Sequence, residues 1–374
     1  LGDGGSNTNI NAPSSTAINL GTGRTAVAVS SGGYHTCAIL DNGDLKCWGR
    51  DSNGQLGDGG SFNHNHYTTA PSSTAINLGT GRTAVAVSTG AYHTCAILDN
   101  GDLKCWGADN KGQLGNGAAT GNVLAPSSTP IALGAGRTAV AVSAGAYHTC
   151  AILDNGDLKC WGEDTHGQLG DGGSTNTDTN APPSAAINLG TGRTAIAVSA
   201  TDTTTCAILD NGDLKCWGHD DNGQLGDGGT NTDTNAPSST AINLGTGRTA
   251  VAVAAGDDHT CAILDNGDVK CWGSDSSGRL GNGGSNTNLN APSSTAINLG
   301  TGRTAVAVAA GYGHTCVILD NGDAKCWGWN GYGQLGIGDT FTRTSPVAVS
   351  GSNTWNSSTG APTGMVSVSG ATCA

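Results

Sequence analysis

A single motif recurs six times along the chain and limits the folds that are open to it. The motif reads TAVAVS-xGxxHTCAILDNGDLKCWGxDxxGQLGDGG, and its first cysteine falls at positions 37, 95, 150, 206, 261 and 316, which are 55 to 58 residues apart. A fixed period of this length is typical of tandem-repeat architectures. The chain ends carry complementary fragments of a seventh copy, because residues 1–5 match the end of a repeat and residues 365–374 match the start of one.

Each repeat carries four strand signals. In the second copy, residues 82–88 are small and β-branched, and residues 93–98 and 102–106 flank an Asp-Asn-Gly turn, a strong hairpin signal. Residues 73–78 supply the signal for a fourth, outer strand. Four short antiparallel strands per repeat predict an all-β propeller with seven four-stranded blades, the seventh split between the two chain ends. We expect residues 1–374 to form a single propeller domain, and a stacked solenoid is the competing architecture.

The motif Val-Ala-Val-Ser-x-Gly-x-x-His-Thr-Cys-Ala-Ile-Leu, followed by Trp-Gly and Gly-Gln-Leu-Gly, resembles the repeat of the regulator-of-chromosome-condensation family. The resemblance covers nearly the whole chain and implies a seven-bladed propeller whose ring is closed by both chain ends. It does not select a function, because the family includes a nuclear exchange factor, ubiquitin-ligase modules, photoreceptors and a secreted bacterial β-lactamase inhibitor.

Twelve of the 13 cysteines form six pairs, each ten residues apart. A two-residue Asn-Gly turn would place the two sulfurs of a pair on opposite sheet faces, whereas a three-residue Asp-Asn-Gly loop places them directly opposite each other. The second register also aligns Ile39 with Leu45, so we predict six disulfides within blades, with buried thiols or a zinc site as alternatives. The predicted pairs are Cys37 with Cys47, Cys95 with Cys105, Cys150 with Cys160, Cys206 with Cys216, Cys261 with Cys271, and Cys316 with Cys326.

Disulfides predict an oxidising location, so we expect an extracellular or cell-surface protein. Cys373 has no partner in this arrangement. Because Leu1 is not an initiator and no signal peptide is visible, we expect the chain to be a piece of something longer.

Most of the basic and aromatic residues occupy repeated positions that indicate a scaffold role. One Arg and one Lys per repeat account for 12 of the 16 basic residues and leave no clustered patch. The tryptophan of each repeat, such as Trp106, is predicted to pack between blades. Five equivalent histidines (His35, His93, His148, His259 and His314) are expected to satisfy backbone groups near the channel.

The loops separate into a constant and a variable end of the ring. Strands alternate in direction, so the loop before the histidine and the loop after the tryptophan should emerge together, and these two differ most between repeats. Tyr, Trp and Arg are typical anchors of protein interfaces. We therefore predict a binding surface at this end, with loop drift after duplication as the alternative. Its residues are Tyr34, Arg50, Phe62, His64, His66, Tyr67, Tyr92, Tyr147, His166, His219, Asp258, Tyr312, Trp329, Tyr332 and Phe341.

Signals for cofactors and catalysis are thin. His64-x-His66 supplies only two metal ligands, and the Asp51-x-Asn53-Gly54 and 231–235 segments only faintly resemble calcium loops, so we predict no metal and no cofactor, with calcium as the weak alternative. Asn356 begins an N-glycosylation sequon. We see no nucleophile elbow, phosphate loop or paired catalytic carboxylates, which predicts a protein that is not an enzyme.

The charge argues against a nucleic-acid partner, and the hydropathy pattern argues against a membrane-spanning helix. The net charge is −13, which argues against nucleic-acid binding, and no run of about 18 apolar residues predicts a membrane span. We expect a structural, adhesive or protein-binding module that contacts a protein or surface glycan, or copies of itself in an oligomer, appendage or filament. A secreted enzyme inhibitor is the alternative, and nucleotide exchange in the nucleus is disfavoured by the charge and the cysteines.

Overall fold

The computed structural model describes residues 2–5, 9–60, 67–119, 121–173, 177–284 and 286–351. Cys373, the sequon at Asn356 and the fragment 365–374 lie outside these residues. The described residues form six antiparallel sheets, one per repeat, and one short 3-10 helix, Ser276–Gly278. The strands are β1 Ala26–Ser31, β2 His35–Leu40, β3 Leu45–Arg50, β4 Tyr67–Thr68, β5 Ala84–Thr89, β6 His93–Leu98, β7 Leu103–Gly107, β8 Ala139–Ala144, β9 His148–Leu153, β10 Leu158–Gly162, β11 Ala195–Ala200, β12 Thr204–Leu209, β13 Leu214–Gly218, β14 Ala250–Ala255, β15 His259–Leu264, β16 Val269–Gly273, β17 Ala305–Ala310, β18 His314–Leu319, β19 Ala324–Gly328 and β20 Arg343–Ala348.

The hairpin register is the one that the three-residue turn predicts. Leu40 donates its N–H to the carbonyl of Asp44 at 2.8 Å, and Gly43 adopts a positive φ of 80°. Cys37 is then directly opposite Cys47, and Ile39 is opposite Leu45.

All six predicted disulfides are present, and each joins the second and third strands of one sheet. The Cα atoms of each pair are 4.0 to 4.1 Å apart, as expected for directly opposed residues of neighbouring strands. The bonds join Cys37 to Cys47, Cys95 to Cys105, Cys150 to Cys160, Cys206 to Cys216, Cys261 to Cys271, and Cys316 to Cys326. The alternatives of buried thiols and a zinc site are therefore wrong for these twelve cysteines.

The predicted fourth strand at residues 73–78 is wrong. Four sheets have three strands, and the outer position in the first sheet is taken by β4, which pairs with Gly49 and Arg50. Residues 73–78 make a single ladder-like contact, from Ile76 N–H to the carbonyl of Leu45 at 2.9 Å. The preceding residues turn instead, because the Ser72 hydroxyl accepts the N–H of Thr74 at 3.2 Å. Short polar side chains that bond their own backbone compete with a strand in this way.

The core lies between neighbouring sheets. Ile39 and Leu45 of the first sheet pack with Ala96, Leu98 and Trp106 of the second. Trp106 is fully buried, and its indole N–H donates to the carbonyl of Gln55 in the preceding repeat at 3.1 Å. The predicted packing of the tryptophans between repeats is confirmed at this seam.

The first strand of each sheet contains a β-bulge that exposes one β-branched side chain. The pairing shifts at a bulge between Ala26 and Ala28, and the intervening Val27 is 58% exposed. An extra residue in one strand is left unpaired and points away from the ladder. The equivalent exposed residues are Val85, Val140, Ile196, Val251 and Val306.

Candidate functional site

The two variable loops of a repeat are joined by a backbone hydrogen bond. The N–H of Arg50 donates to the carbonyl of Tyr34 at 2.9 Å, and the N–H of His219 donates to that of Thr203 at 3.0 Å. At the opposite end, Arg24 forms an ion pair of 3.4 Å with Asp41, beside the constant turn. The structure thus separates a variable and a constant end, as the strand directions predict.

Three tyrosines from consecutive repeats form a continuous row at the variable end. The ring centroids of Tyr34 and Tyr92 are 5.6 Å apart, and those of Tyr92 and Tyr147 are 5.2 Å apart. The guanidinium of Arg50 lies 5.0 Å from the Tyr34 centroid, in a cation–π contact. A hydrogen bond to Tyr92 raises the pKa of Tyr34, and burial raises the pKa of Tyr92, so the hydroxyls stay protonated. We call Tyr34, Tyr92, Tyr147 and Arg50 the tyrosine row.

Acidic residues occupy the same loop in the fourth and fifth repeats. Asp202 and Asp257 interact closely enough for each to shift the pKa of the other. Burial, followed by the charges of Asp202 and Asp258, raises the pKa of Asp257 to about 7. Asp258 in turn lies 3.5 Å from Arg279. The sequence prediction named Asp258 but missed Asp202 and Asp257, although both stand where the first three repeats have Gly or Ala.

The remaining predicted binding residues make several local contacts. Tyr67 pairs with Arg50 in the first sheet, and the Trp329 and Tyr332 rings are 5.0 Å apart in the sixth repeat. Tyr312 and Phe341 are exposed. The His166 and His219 rings approach to 4.5 Å. Phe62, His64 and His66 lie outside the described residues.

The disulfide cysteines belong to the core and not to the exposed variable end. All twelve are buried, the most accessible being Cys47 and Cys216 at 6% exposure. Their bonds hold together the two strands that flank the constant turn, so their role is to support the scaffold on which the variable loops stand. The first cysteines of the pairs are Cys37, Cys95, Cys150, Cys206, Cys261 and Cys316, and the second are Cys47, Cys105, Cys160, Cys216, Cys271 and Cys326.

The repeated histidines are structural, but their partners differ from the prediction. His35 Nε2 lies 2.7 Å from the Thr94 hydroxyl of the next repeat, and Thr94 donates to the carbonyl of Gln55 at 2.8 Å. The imidazole thus donates to a side chain rather than to a backbone group. Burial lowers the pKa of His35 to about 3, which keeps this ring neutral at physiological pH.

In the first five repeats a buried aspartate holds the loop after the tryptophan, and its Oδ1 accepts a backbone N–H of the same loop. Oδ1 of Asp164 accepts the N–H of Leu169 at 2.9 Å, and Oδ1 of Asp220 does the same for Leu225 at 2.9 Å. Oδ2 of both residues lacks a partner among the described residues. Burial raises the pKa of each carboxyl to about 6.

Replacing these aspartates by asparagine is expected to stabilise the protein above pH 7. The folded carboxyls bind protons between about pH 4 and 6 while the unfolded ones do not, so their contribution to stability is lost as the pH rises through 6. The Asp164→Asn/Asp220→Asn variant should gain about 1 kcal/mol per site at pH 8, roughly half of that at pH 5 and little at pH 4. Thermal melts of the variant and the wild type at each pH measure this difference.

The sixth repeat supplies the matched control, because Asn330 already stands at this position and its Oδ1 accepts the N–H of Leu335 at 2.9 Å. Asn330→Asp should therefore lower the melting temperature at pH 8. The buried histidines act in the opposite direction with pH, so each variant is compared with the wild type at the same pH. An equal shift at pH 4 and pH 8 would contradict the prediction.

Comparison with known proteins identifies the repeat. Residues 1–284 match the RCC1-like domain, and residues 266–318 and 321–360 match the regulator of chromosome condensation (RCC1) repeat. The ultraviolet-B receptor UVR8 of Arabidopsis thaliana is 30% identical over 328 residues, which cover 87% of this chain and 70% of UVR8.

Solved structures agree on the fold. Human WBSCR16 aligns with a TM-score of 0.77 at 22% identity, covering 90% of this chain and 84% of its own. Prp20p of Saccharomyces cerevisiae, which binds Gsp1p and histones, aligns with a TM-score of 0.72 at 20% identity, covering 87% and 76%. Within the described residues no helix is long and apolar enough to cross a bilayer. The matches to the RCC1-like domain and to UVR8 show that the chain belongs to the RCC1-like propeller family.

Proposed function

We propose that the protein is a non-enzymatic binding module that docks a protein partner on the tyrosine row. The observation that carries the proposal is the row itself: three stacked tyrosines and an arginine with Tyr34 half exposed at 50%. Rigid aromatic side chains with polar tips provide a large contact area at low entropic cost. The structural similarity to Prp20p, which binds Gsp1p and histones, also supports a binding role.

We infer further that the ring is closed and has seven blades within a single domain, residues 1–374. Asn11 is hydrogen-bonded to Gly338 of the sixth repeat, with its Nδ2 3.0 Å from the Gly338 carbonyl. Gly2 packs against Trp48 of the first repeat, as Gly57 packs against Trp106. The N-terminal segment therefore touches both the sixth and the first repeats, which supports its assignment to the outer part of a seventh blade.

We place the protein outside the cell or on its surface, in a structural or adhesive role. Six disulfides in a chain of 374 residues support this location, because such bonds persist in oxidising compartments. A surface protein, a surface glycan or a further copy in a filament would each suit an adhesive role. A secreted enzyme is the alternative partner, and the protein would then act as an inhibitor.

The Tyr34→Ala/Tyr92→Ala/Tyr147→Ala variant tests the docking surface. Surface and secreted proteins of the source organism are passed over immobilised wild type and variant, and each retained partner is titrated against both. We expect the affinity to fall at least tenfold, because central aromatic anchors commonly contribute about 2 kcal/mol or more. Inhibition of a retained enzyme by a monomeric protein would favour the inhibitor role.

The same three repeats provide a control at the constant end. Arg24, Arg82 and Arg137 form exposed ion pairs with Asp41, Asp99 and Asp154 at 3.1 to 3.4 Å. Exposed pairs contribute little to stability, so the triple Arg→Ala variant should keep both fold and binding. If the arginine variant loses the partner and the tyrosine variant keeps it, the binding surface is at the other end.

A further inference from the structure

We propose that the seam between the third and fourth repeats binds one divalent transition-metal ion through His166, His219 and Asp233. One ligand atom from each of these residues lies within 4.8 Å of the others. Two imidazoles and a carboxylate form a donor set that suits zinc and neighbouring first-row ions. Three protein ligands leave a further position for water or for Asp221, whose Oδ2 lies 3.1 Å from His219 Nε2.

The backbone around each ligand is fixed by hydrogen bonds. Asp233 Oδ1 accepts the N–H of Asp220 at 3.0 Å, which leaves Oδ2 2.7 Å from His166 Nδ1. The N–H of His166 donates to Gln168 Oε1 at 2.9 Å. The N–H of His219 donates to the carbonyl of Thr203 at 3.0 Å. Preorganised ligands lose little conformational entropy when an ion binds.

The neighbouring seam shows that this place in the fold accommodates a positive charge. Lys111, Glu163 and Asp178 occupy the positions of His166, His219 and Asp233 one repeat earlier. The Lys111 ammonium lies 2.9 Å from Glu163 Oε1 and 3.3 Å from Asp178 Oδ2. Between the third and fourth repeats, the imidazole of His166 replaces the Lys111 ammonium. The imidazole offers a lone pair to an ion, and the Asp233 carboxylate remains beside it.

The seam on the other side has a neutral version of the same contact. Asn222, Ser274 and Asn288 stand at the three positions, and Asn288 Nδ2 donates to Asn222 Oδ1 at 3.0 Å. The backbone arrangement between neighbouring repeats is therefore the same whether these positions carry a lysine, two asparagines or two histidines. The residues at this seam can be exchanged for those of a neighbour without changing the architecture.

Ion binding must displace protons, which limits the affinity. Gln224 Nε2 lies 3.0 Å from His219 Nδ1, while Gln224 Oε1 already accepts the N–H of Asn222 at 2.9 Å. The amide donates to Nδ1, so the proton of the neutral ring is on Nε2. Ligation through Nε2 moves that proton to Nδ1 and breaks the Gln224 contact, and ligation of His166 removes the proton it shares with Asp233. We therefore expect a micromolar dissociation constant.

Titration of the untagged protein with zinc chloride or cobalt chloride tests the site. We expect one equivalent to bind per chain, with cobalt absorption bands typical of nitrogen and oxygen ligands and a zinc-dependent rise in melting temperature. His166→Lys/His219→Glu copies the neighbouring seam and should keep the fold while weakening binding at least tenfold. Asp233→Asn, which copies Asn288, should also weaken binding.

His64→Ala/His66→Ala controls for the other histidine pair in the sequence and should leave both affinity and stoichiometry unchanged. Undiminished binding in the correctly folded His166→Lys/His219→Glu variant would overturn the proposal. Loss of binding in the His64→Ala/His66→Ala variant would overturn it as well, since the ion would then lie elsewhere. Failure of the wild type to bind either ion at millimolar concentration would do the same.

Discussion

Loss of one disulfide, in the Cys206→Ala/Cys216→Ala variant, is expected to lower the free energy of unfolding by about 2–3 kcal/mol. The bond closes a short loop between residues ten apart, and its removal returns chain entropy to the unfolded state. Cys206 is fully buried, so the lost sulfur contacts add to the effect. Urea denaturation of the variant and the wild type measures the difference.

Reduction of all six bonds should have a much larger effect, because the stability of a typical domain is only about 5–15 kcal/mol. A melt in a thiol-free phosphine reductant is compared with one in buffer. Alkylation of the unreduced protein provides the independent check. Modification of all 13 cysteines without reduction would falsify both the bonds and the proposed oxidising location.

Trp217→Ala is expected to cost about 3–5 kcal/mol, because it opens a cavity at a seam between repeats. Trp217 is fully buried among residues of the third and fourth repeats, and its indole N–H donates to the carbonyl of Gln168 at 3.0 Å. The substitution removes the packing and one of the two donors to that carbonyl, the other being the Thr205 hydroxyl at 2.8 Å. Chemical denaturation gives the free energy of unfolding for comparison with the wild type.

Two other tryptophans make this experiment a test of ring closure. Trp48 packs against Gly2, and in a closed ring Trp48→Ala should cost nearly as much as Trp217→Ala. Trp329 stacks with Tyr332 in a variable loop, so Trp329→Ala should cost under about 1.5 kcal/mol. A small loss for Trp48→Ala would indicate that the first sheet has an open edge.

The sequence was most informative where covalent geometry and side-chain alternation act together. The Asp41-Asn42-Gly43 turn and the ten-residue cysteine spacing are compatible with one register, and Cys37 pairs with Cys47 accordingly. The outer strand was mispredicted because Ile76 alternates like a strand residue, while Ser72 bonds its own backbone. An alternating pattern of apolar residues indicates which side chains are buried, but it does not show where a serine side chain bonds the backbone in place of a neighbouring strand.

The candidate sites were harder to predict because they join residues from different repeats. The contact between His166 and Asp233 spans 67 positions, and only the angle between adjacent sheets brings the two together. The tyrosine row was easier to predict because one position repeats in consecutive copies. Asp202 and Asp257 stand one position earlier, where variation among small residues, aspartate and the tyrosine of the sixth repeat resembles loop drift.

The bond from His35 to Thr94, and from Thr94 to Gln55, has a consequence for engineering. In the first three repeats adjacent units are joined by this same His–Thr contact, while the exposed position beside it changes along the chain from tyrosine to threonine, aspartate or glycine. New loop sequences grafted at Tyr34, Tyr92 and Tyr147 would leave those contacts intact. The chain is thus a natural scaffold for display libraries, in which the recognition surface can be rewritten one unit at a time.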